Sequence, residues 1–232
     1  MDLPKVLVFT PIYEAKDYCL DMFIEHCKKI NYPNYTHIFI DNSKGTSYVK
    51  KLRSKGLKAY HIDRGGNSRE ALARSQIFAR RKALDEGYDY IFSLESDIMI
   101  PDGTIIQRLI STGKEVISGL YFIGTDQIRV PCITLPEFSE DLQAWGTRLL
   151  TREEIPDYFN NGIVQVQAAG MGCCLIARRV IEKINFFYDP RFMGHSDIYF
   201  FNNCFENQIY VFVDTSYMCE HDNSNWQDVK DR

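Results

Sequence analysis

"YDYIFSLESDIMIPDG", residues 88–103, decides how this chain is read. Tyr90, Ile91, Phe92 and Leu94 form an apolar run of strand length that stops at Glu95-Ser96-Asp97, then resumes before Asp102-Gly103, a turn-forming pair. Acidic side chains are among those least often buried unless they are paired or hold a metal. Side chains in an extended segment alternate, so Glu95 and Asp97 point the same way. Two like charges at a buried strand end repel each other unless a cation sits between them. A hard divalent ion shared by carboxylates and phosphate oxygens meets that need.

Outward from this stretch the same alternation recurs. "KVLVF" (5–9) is a short apolar run stopped by Thr10-Pro11 and predicts a buried strand. "DYCLDMFIEHCKKI" (17–30) carries Leu20, Phe23, Ile24, Cys27 and Ile30 at helical spacing. "THIFI" (36–40) is a second strand ending at Asp41-Asn42-Ser43, followed by a helix near 46–55 and a strand at "KAYHI" (58–62). Asn67 with Glu70 three residues on has the form of a capping box and opens a helix to residue 86. "YIFSL" and "EVISGL" are further strands. Strands alternating with such helices predict an α/β domain whose sheet is mainly parallel and covered on both faces. Ligands of such sheets sit beyond the carboxyl ends of the strands. Three expected strands end there in polar groups, at Thr10, Asp41 and Glu95 to Asp97. Alone, Asp41 reads equally well as a turn former.

Whole-chain properties narrow the function. At 232 residues the chain can bury one complete core, and the composition (45% hydrophobic, 25% charged) is that of a soluble globular protein. A net charge of −4 provides no basic footprint, so nucleic acid is not an expected partner. No apolar stretch reaches transmembrane length, and the opening "MDLPKVLVFTP" lacks the form of a signal peptide. Seven cysteines, an odd number with Cys173 and Cys174 adjacent in an apolar run, fit reduced buried thiols in a cytoplasmic protein. Peripheral association with a membrane stays open. The last residues, 223–232, are expected to form a loose polar tail.

The second half has its own candidates. Tyr121, Phe122, Trp145, Tyr158 and Phe159 in the aromatic-bearing stretch 121–160 could stack on a sugar, although aromatic side chains more often fill a core. In "VQAAGMGCCLIARRVIEKI" (166–184), Gly170 and Gly172 precede an apolar strand, where a bare backbone suits either close approach to a ligand or a bulge. "FMGHSDIYFFNNCFENQ" (192–208) places Asp197 at the start of an aromatic helix, a position that also suits the helix dipole. "YVFVDTSYMCEH" (210–221) is a strand ending near Asp214, with His221 seven residues later.

In this order, strand-Thr-Pro, strand-Asp, strand-acid-x-Asp, Gly-x-Gly before a strand, Asp before an aromatic helix and a late His, the chain resembles the nucleotide-sugar glycosyltransferases of the GT-A fold. It looks nearest to family-2-type enzymes and their phage and viral relatives, over residues 5–222. The resemblance implies a single GT-A domain at 1–222, with a nucleotide-sugar-binding half (1–118) and an acceptor and catalytic half (119–222). It also implies the roles. Thr10, Pro11 and Glu14 resemble the first nucleotide loop, and Asp41 the acid that accepts a hydrogen bond from the base. Glu95, Ser96 and Asp97 resemble the DXD motif, with Asp97 the metal ligand and Glu95 a ribose contact. Arg74 falls where such enzymes carry an Arg-Asn pair near the diphosphate, with Ser75 in place of the Asn. Gly170 and Gly172 look like the glycine loop beside the sugar. Asp197 resembles the catalytic base of the x-E-D motif, which reads His195-Ser196-Asp197 here. His221 resembles the C-terminal histidine completing the metal or pyrophosphate site. The implied cofactor is Mn2+ or Mg2+. The implied partners are a nucleotide-sugar donor, UDP-sugar favoured, and a carbohydrate, glycolipid or protein acceptor.

The chemistry asks for these groups independently. A departing nucleoside diphosphate needs its charge stabilised, which a divalent ion does as a Lewis acid, and an acceptor hydroxyl needs a carboxylate base. A base across the anomeric carbon from the leaving group gives inversion, the expected outcome with Asp197 as base. A nicotinamide or methyl-transfer enzyme would need a glycine-rich turn after the first strand, where "TPIYEA" has none. A nucleotidylyltransferase would need a glycine- and arginine-rich loop there. A zinc site built from Cys173, Cys174, Cys204, Cys219 and His221 has unsuitable spacings. The alternatives that stay open are a catalytically silent nucleotide-sugar-binding or scaffold protein of this fold and a retaining transferase.

Overall fold

The computed structural model describes residues 3–124, 129–141, 143–191, 195–222 and Ser224. Apolar runs become strands and amphipathic runs helices. The first half is β1 (Val6–Ile12), α1 (Asp17–Cys27), β2 (Tyr35–Asp41), α2 (Ser47–Ser54), β3 (Ala59–His61), α3 (Ser68–Asp85), β4 (Tyr90–Leu94), β5 (Ile98–Met99), α4 (Ile105–Ser111) and β6 (Val116–Leu120). The second half is β7 (Phe122–Gly124), β8 (Arg129–Pro131), β9 (Ile133–Ser139), β10 (Ala144–Leu149), β11 (Ile163–Val166), β12 (Ala168–Ala169), β13 (Cys173–Ala177), α5 (Arg178–Lys183), α6 (Ser196–Glu206), β14 (Val211–Met218) and β15 (Glu220–His221).

Eight strands form the central sheet in the order β11-β14-β6-β13-β4-β1-β2-β3. Neighbours run parallel at β3–β2, β2–β1, β1–β4 and β6–β14, and antiparallel at β4–β13, β13–β6 and β14–β11. The sheet is therefore mixed and mainly parallel, flanked by helices. Alternation along β1 sends Leu7 and Phe9 into one apolar layer with α3, α5 and α6, and Val6 and Val8 into the other with α1, α2 and α4. All four side chains are fully buried, each stabilising the fold by roughly 1.5–3 kcal/mol over an exposed state.

The helix starting near residue 67 forms as its cap dictates. Asn67 Oδ1 accepts the Glu70 N–H at 3.0 Å, and the Glu70 carboxylate reaches back to the Gly66 N–H at 2.8 Å. Two expected boundaries move. Thr10-Pro11 does not end β1, which runs on to Ile12 paired with β2. Pairing with β4 stops at Phe9, so Pro11 lies where β1 has a single neighbour and the missing N–H costs no ladder bond. The last long strand, expected to end near Asp214, continues to Met218 through an irregularity in its pairing with β6. The stretch 121–160 adds β7 and β8, paired with each other, and β9 and β10, which form a second small sheet with β12. The expected tail lies outside the described residues apart from Ser224. All seven cysteines are free, six of them buried. Cys173 and Cys219 belong to one apolar layer and Cys174 and Cys204 to the other, so these four thiols cannot converge on one zinc ion.

Candidate functional site

The carboxyl edge of β1, β2 and β4 gathers the polar strand ends. Beyond β4, Glu95 N–H donates to the Gly172 carbonyl at 2.9 Å, and the chain turns into β5, which pairs antiparallel with β15. That pairing sets His221 opposite Ile98, and the Asp222 N–H donates to the Asp97 carbonyl at 2.8 Å. Two residues 124 positions apart are thereby brought together, with His221 Nε2 3.4 Å from Asp97 Oδ2. The other ring nitrogen of His221, Nδ1, lies 3.1 Å from the Phe122 carbonyl oxygen and donates to it. This leaves Nε2 to face the carboxylate. A backbone carbonyl holding one nitrogen while the other faces a ligand position is the usual support of a metal-binding histidine.

A third group reaches the same oxygen. Lys16, the last residue of a single helical turn at Glu14–Lys16, forms an ion pair between Nζ and Asp97 Oδ2. Only 14% of the lysine side chain and 5% of the aspartate side chain are exposed. Burial by itself would raise the Asp97 carboxyl, but the His221 hydrogen bond and the charges of Lys16 and His221 outweigh it and hold Asp97 below the usual range. Burial likewise disfavours the charged form of His221, and Asp97 more than offsets this, so His221 titrates above its ordinary value. Glu95 moves the other way. It is raised by burial first and then by the charges of Asp97 and Asp197. The two like charges expected from the sequence therefore do influence each other, and the cation that answers them is Lys16, paired with Asp97.

A divalent ion fits this donor set. Two cis ligands of one octahedral ion at ~2.1 Å lie about 3 Å apart, close to the Nε2–Oδ2 separation of 3.4 Å. Among the described residues no group of three or more His, Cys, Asp or Glu side chains is placed to hold a metal ion. A pair of protein ligands completed by phosphate oxygens and water is how Mg2+ is commonly held.

The other expected residues divide by what they touch. Thr10 is fully buried; its hydroxyl donates to the Leu94 carbonyl at 2.7 Å and, with its one hydrogen spent, accepts from His37 Nε2 at 2.8 Å. Burial pushes His37 down to about 3, which keeps that ring neutral. The side chain of Thr10 thus ties β1 to β4. Glu14 is exposed and lines a cleft of about 320 Å³ with Tyr13, Ala15, Lys44 and Arg64. The Arg64 guanidinium lies 4.6 Å over the Tyr13 ring and donates to Asn42 Oδ1 at 3.1 Å. Asp41 is 0% exposed. Its Oδ1 accepts from the Ser43 N–H at 2.9 Å and the Ser43 hydroxyl at 2.5 Å, and its Oδ2 lies 3.1 Å from His61 Nδ1. Arg74 is exposed on α3 and paired with Asp63 and Glu70, so Lys16 is the basic residue at Asp97.

The glycine pair is demanded from inside the protein. A Cβ on Gly170 would overlap the Tyr121 hydroxyl, and one on Gly172 would lie 2.9 Å from the same group. Tyr121 accepts the Gly172 N–H at 3.0 Å and packs edge-on against His221, with centroids 5.7 Å apart. Tyr121 is thus a core residue supporting the site. Phe122 and Phe159 pack edge-on at 6.3 Å with Phe159 half-exposed, and the Trp145 side chain lies outside the described residues.

Asp197 opens α6, where its Oδ1 accepts the Ile198 N–H at 2.9 Å. Burial raises its carboxyl, and the His195 charge and local backbone N–H groups offset this only in part. Ser196 is buried and donates to Gln76 Oε1, while Gln76 Nε2 lies 3.6 Å from Met171 Sδ. This chain of contacts joins α3, the glycine loop and the start of α6. Lys16, Arg64, His61 and Gln76 carry no motif. Gln76 alone had a visible cue, a polar residue within the apolar spacing of its helix.

No protein-family model and no curated protein sequence matches the chain. Solved structures do. GalNAc-T7 with UDP, GalNAc and Mn2+ is similar at a TM-score of 0.67 and 14% identity, over 94% of this chain and 43% of that one. TarS 1–349 from S. aureus in complex with UDP-GlcNAc is similar at 0.57 and 15%, over 93% and 58%. A197 from STIV is similar at 0.51 and 16%, over 94% and 85%. The chain spans less than two thirds of GalNAc-T7 and of TarS. Among the described residues no helix is long and apolar enough to cross a membrane. The sheet order, its reversed strand β13 and these similarities agree on one architecture: the chain has the GT-A fold.

Proposed function

We propose that this protein transfers a sugar from a nucleoside-diphosphate donor, UDP-sugar favoured, to an acceptor hydroxyl. The observation that carries the reading is the meeting of Asp97, His221 and Lys16 at the carboxyl edge of the sheet, next to the turn whose Glu14 and Ala15 line the cleft. A nucleoside in that cleft would place its diphosphate near Lys16 and Asp97. Arg64 stacked on Tyr13 offers a flat, cationic wall to a base. A base N–H reaching Asp41 would compete with His61 for Oδ2. Asp97 and His221 would hold Mn2+ or Mg2+, which supplies Lewis-acid stabilisation of the leaving diphosphate when bound. Glu95 would contact the ribose and Asp197 would take the acceptor proton.

A raised carboxyl suits the base role, because a base is most effective with its affinity for protons near the working pH. A base placed across the sugar from the leaving group would give inversion at the anomeric carbon. The similarity of fold to GalNAc-T7 with UDP, GalNAc and Mn2+ and to TarS with UDP-GlcNAc supports a nucleotide-sugar donor and a hexosyl group. The test is nucleotide release from a panel of UDP-, GDP- and TDP-sugars, with and without Mn2+. Release from a UDP-sugar that stops in excess chelator is expected. No release from any donor under either condition would reduce the protein to a binding or scaffold role.

A further inference from the structure

Asp97 Oδ2 is claimed twice: the Lys16 ammonium pairs with it, and His221 Nε2 faces it. An ion held by Asp97 Oδ2 and His221 Nε2 would compete with the ammonium for that oxygen. Both side chains of the pair are nearly buried, so the lysine cannot be left there without a partner once its carboxylate is taken. Lysine carries its charge on a flexible four-carbon stem and can follow a new anion. Its neighbours Glu14 and Ala15 line the 320 Å³ cleft, so the anion within reach is whatever phosphate a ligand of that cleft carries. Lys44 and Arg64 on the cleft wall add to the pull on such an anion.

We infer that Lys16 is an interlock between donor and metal: it occupies the divalent-ion position at Asp97 in the empty site and moves to the diphosphate when the nucleotide binds. This deepens the transferase reading and rests on it. Metal without nucleotide strands an ammonium, nucleotide without metal leaves Lys16 divided between two anions, and only the pair satisfies every charge. Binding of the two ligands is therefore positively coupled, and reciprocally so.

The test is Mn2+ binding followed by the electron paramagnetic resonance of free Mn2+, with and without UDP, in the wild-type chain and in Lys16→Met and Lys16→Arg. In the wild type UDP should tighten Mn2+ binding by about 10- to 100-fold, within the usual range of coupling between two sites. Lys16→Met should bind Mn2+ alone about tenfold more tightly than wild type and lose a similar factor of coupling, since the competing cation is gone. Lys16→Arg, which keeps the charge, should retain weak binding of Mn2+ alone. If Lys16→Met binds Mn2+ alone no better than wild type while the wild type still binds UDP with Mn2+, the interlock is wrong and the transferase reading stands. Should Lys16→Met fail to fold, wild-type Mn2+ affinity that is the same with and without UDP overturns the proposal by itself. A wild type that binds none of UDP, GDP and TDP under any condition overturns both.

Discussion

Asp197→Asn separates an enzyme from a binder. The substitution keeps the size of the side chain and an Oδ1 acceptor for the Ile198 N–H, now held at 2.9 Å, so the first turn of α6 is retained. It removes the ability to take a proton. A general base contributes about 10²–10⁴-fold to rate, a loss of about 2.7–5.4 kcal/mol of transition-state stabilisation at 1.36 kcal/mol per tenfold. Stability should move little or rise. Burial raises the Asp197 carboxyl, so its ionised form is disfavoured in the folded protein above its ordinary titration range, and a neutral amide removes that cost. The assay is single-turnover nucleotide release with saturating donor, alongside UDP and Mn2+ affinities and a thermal melt. Turnover should fall by the stated factor while both affinities hold and the melting temperature holds or rises, the pattern of a group acting in the transition state. The wild-type rate should fall in acid at a pH above that of an ordinary aspartate, because the base must be ionised to work. Proton NMR of the product should show the anomeric configuration opposite to the donor's. A variant at wild-type rate, or retained configuration, refutes the assignment and leaves Asp197 a helix-start residue.

Other outcomes follow from single contacts. Asp97→Ala should abolish metal-dependent UDP binding, checked by calorimetry with Mn2+ and with chelator; turnover by the wild type in excess chelator would contradict the metal role. Asp41→Asn keeps the acceptor used by Ser43 but puts a donor at Oδ2, so UDP affinity should fall by about 1–3 kcal/mol if the carboxylate serves the base. An unchanged dissociation constant would return Asp41 to a strand-end turn. Gly170→Ala drives a methyl group into the Tyr121 hydroxyl and should cost about 1–3 kcal/mol by overpacking. Denaturant unfolding checks this, and wild-type stability would show that Tyr121 yields freely. Gln76→Leu breaks the contact to Ser196 at the start of α6, and should lower kcat more than it raises KM for the donor. An unchanged kcat would limit Gln76 to the core.

Much of the fold is set by local pattern. The apolar run at 90–94, the spacing of Leu20, Phe23 and Cys27, and the Asn67–Glu70 cap are each decided by neighbours within a turn or a pleat, so they can be read from the chain. The acids at 95 and 97 were likewise visible as a charge problem awaiting a cation. Which cation waits there was not, because Lys16 lies 81 positions away and reaches Asp97 through the packing of a turn that no periodicity marks. The same holds for His221, which arrives through a two-residue strand pairing too short to leave a pattern. Gly170 and Gly172 announced a need for bare backbone, but only the tertiary structure names the reason, the Tyr121 hydroxyl from β6's carboxyl end. Asp41 does close β2, whereas Thr10 lies inside β1, and the burial of both and their commitments to Ser43, His61 and Leu94 depend on strands brought alongside. Local spacing determines which elements form and which chemistry they can offer. Long-range packing decides which partner each charge meets, because a buried charge is settled by whatever the fold places within hydrogen-bond reach of it.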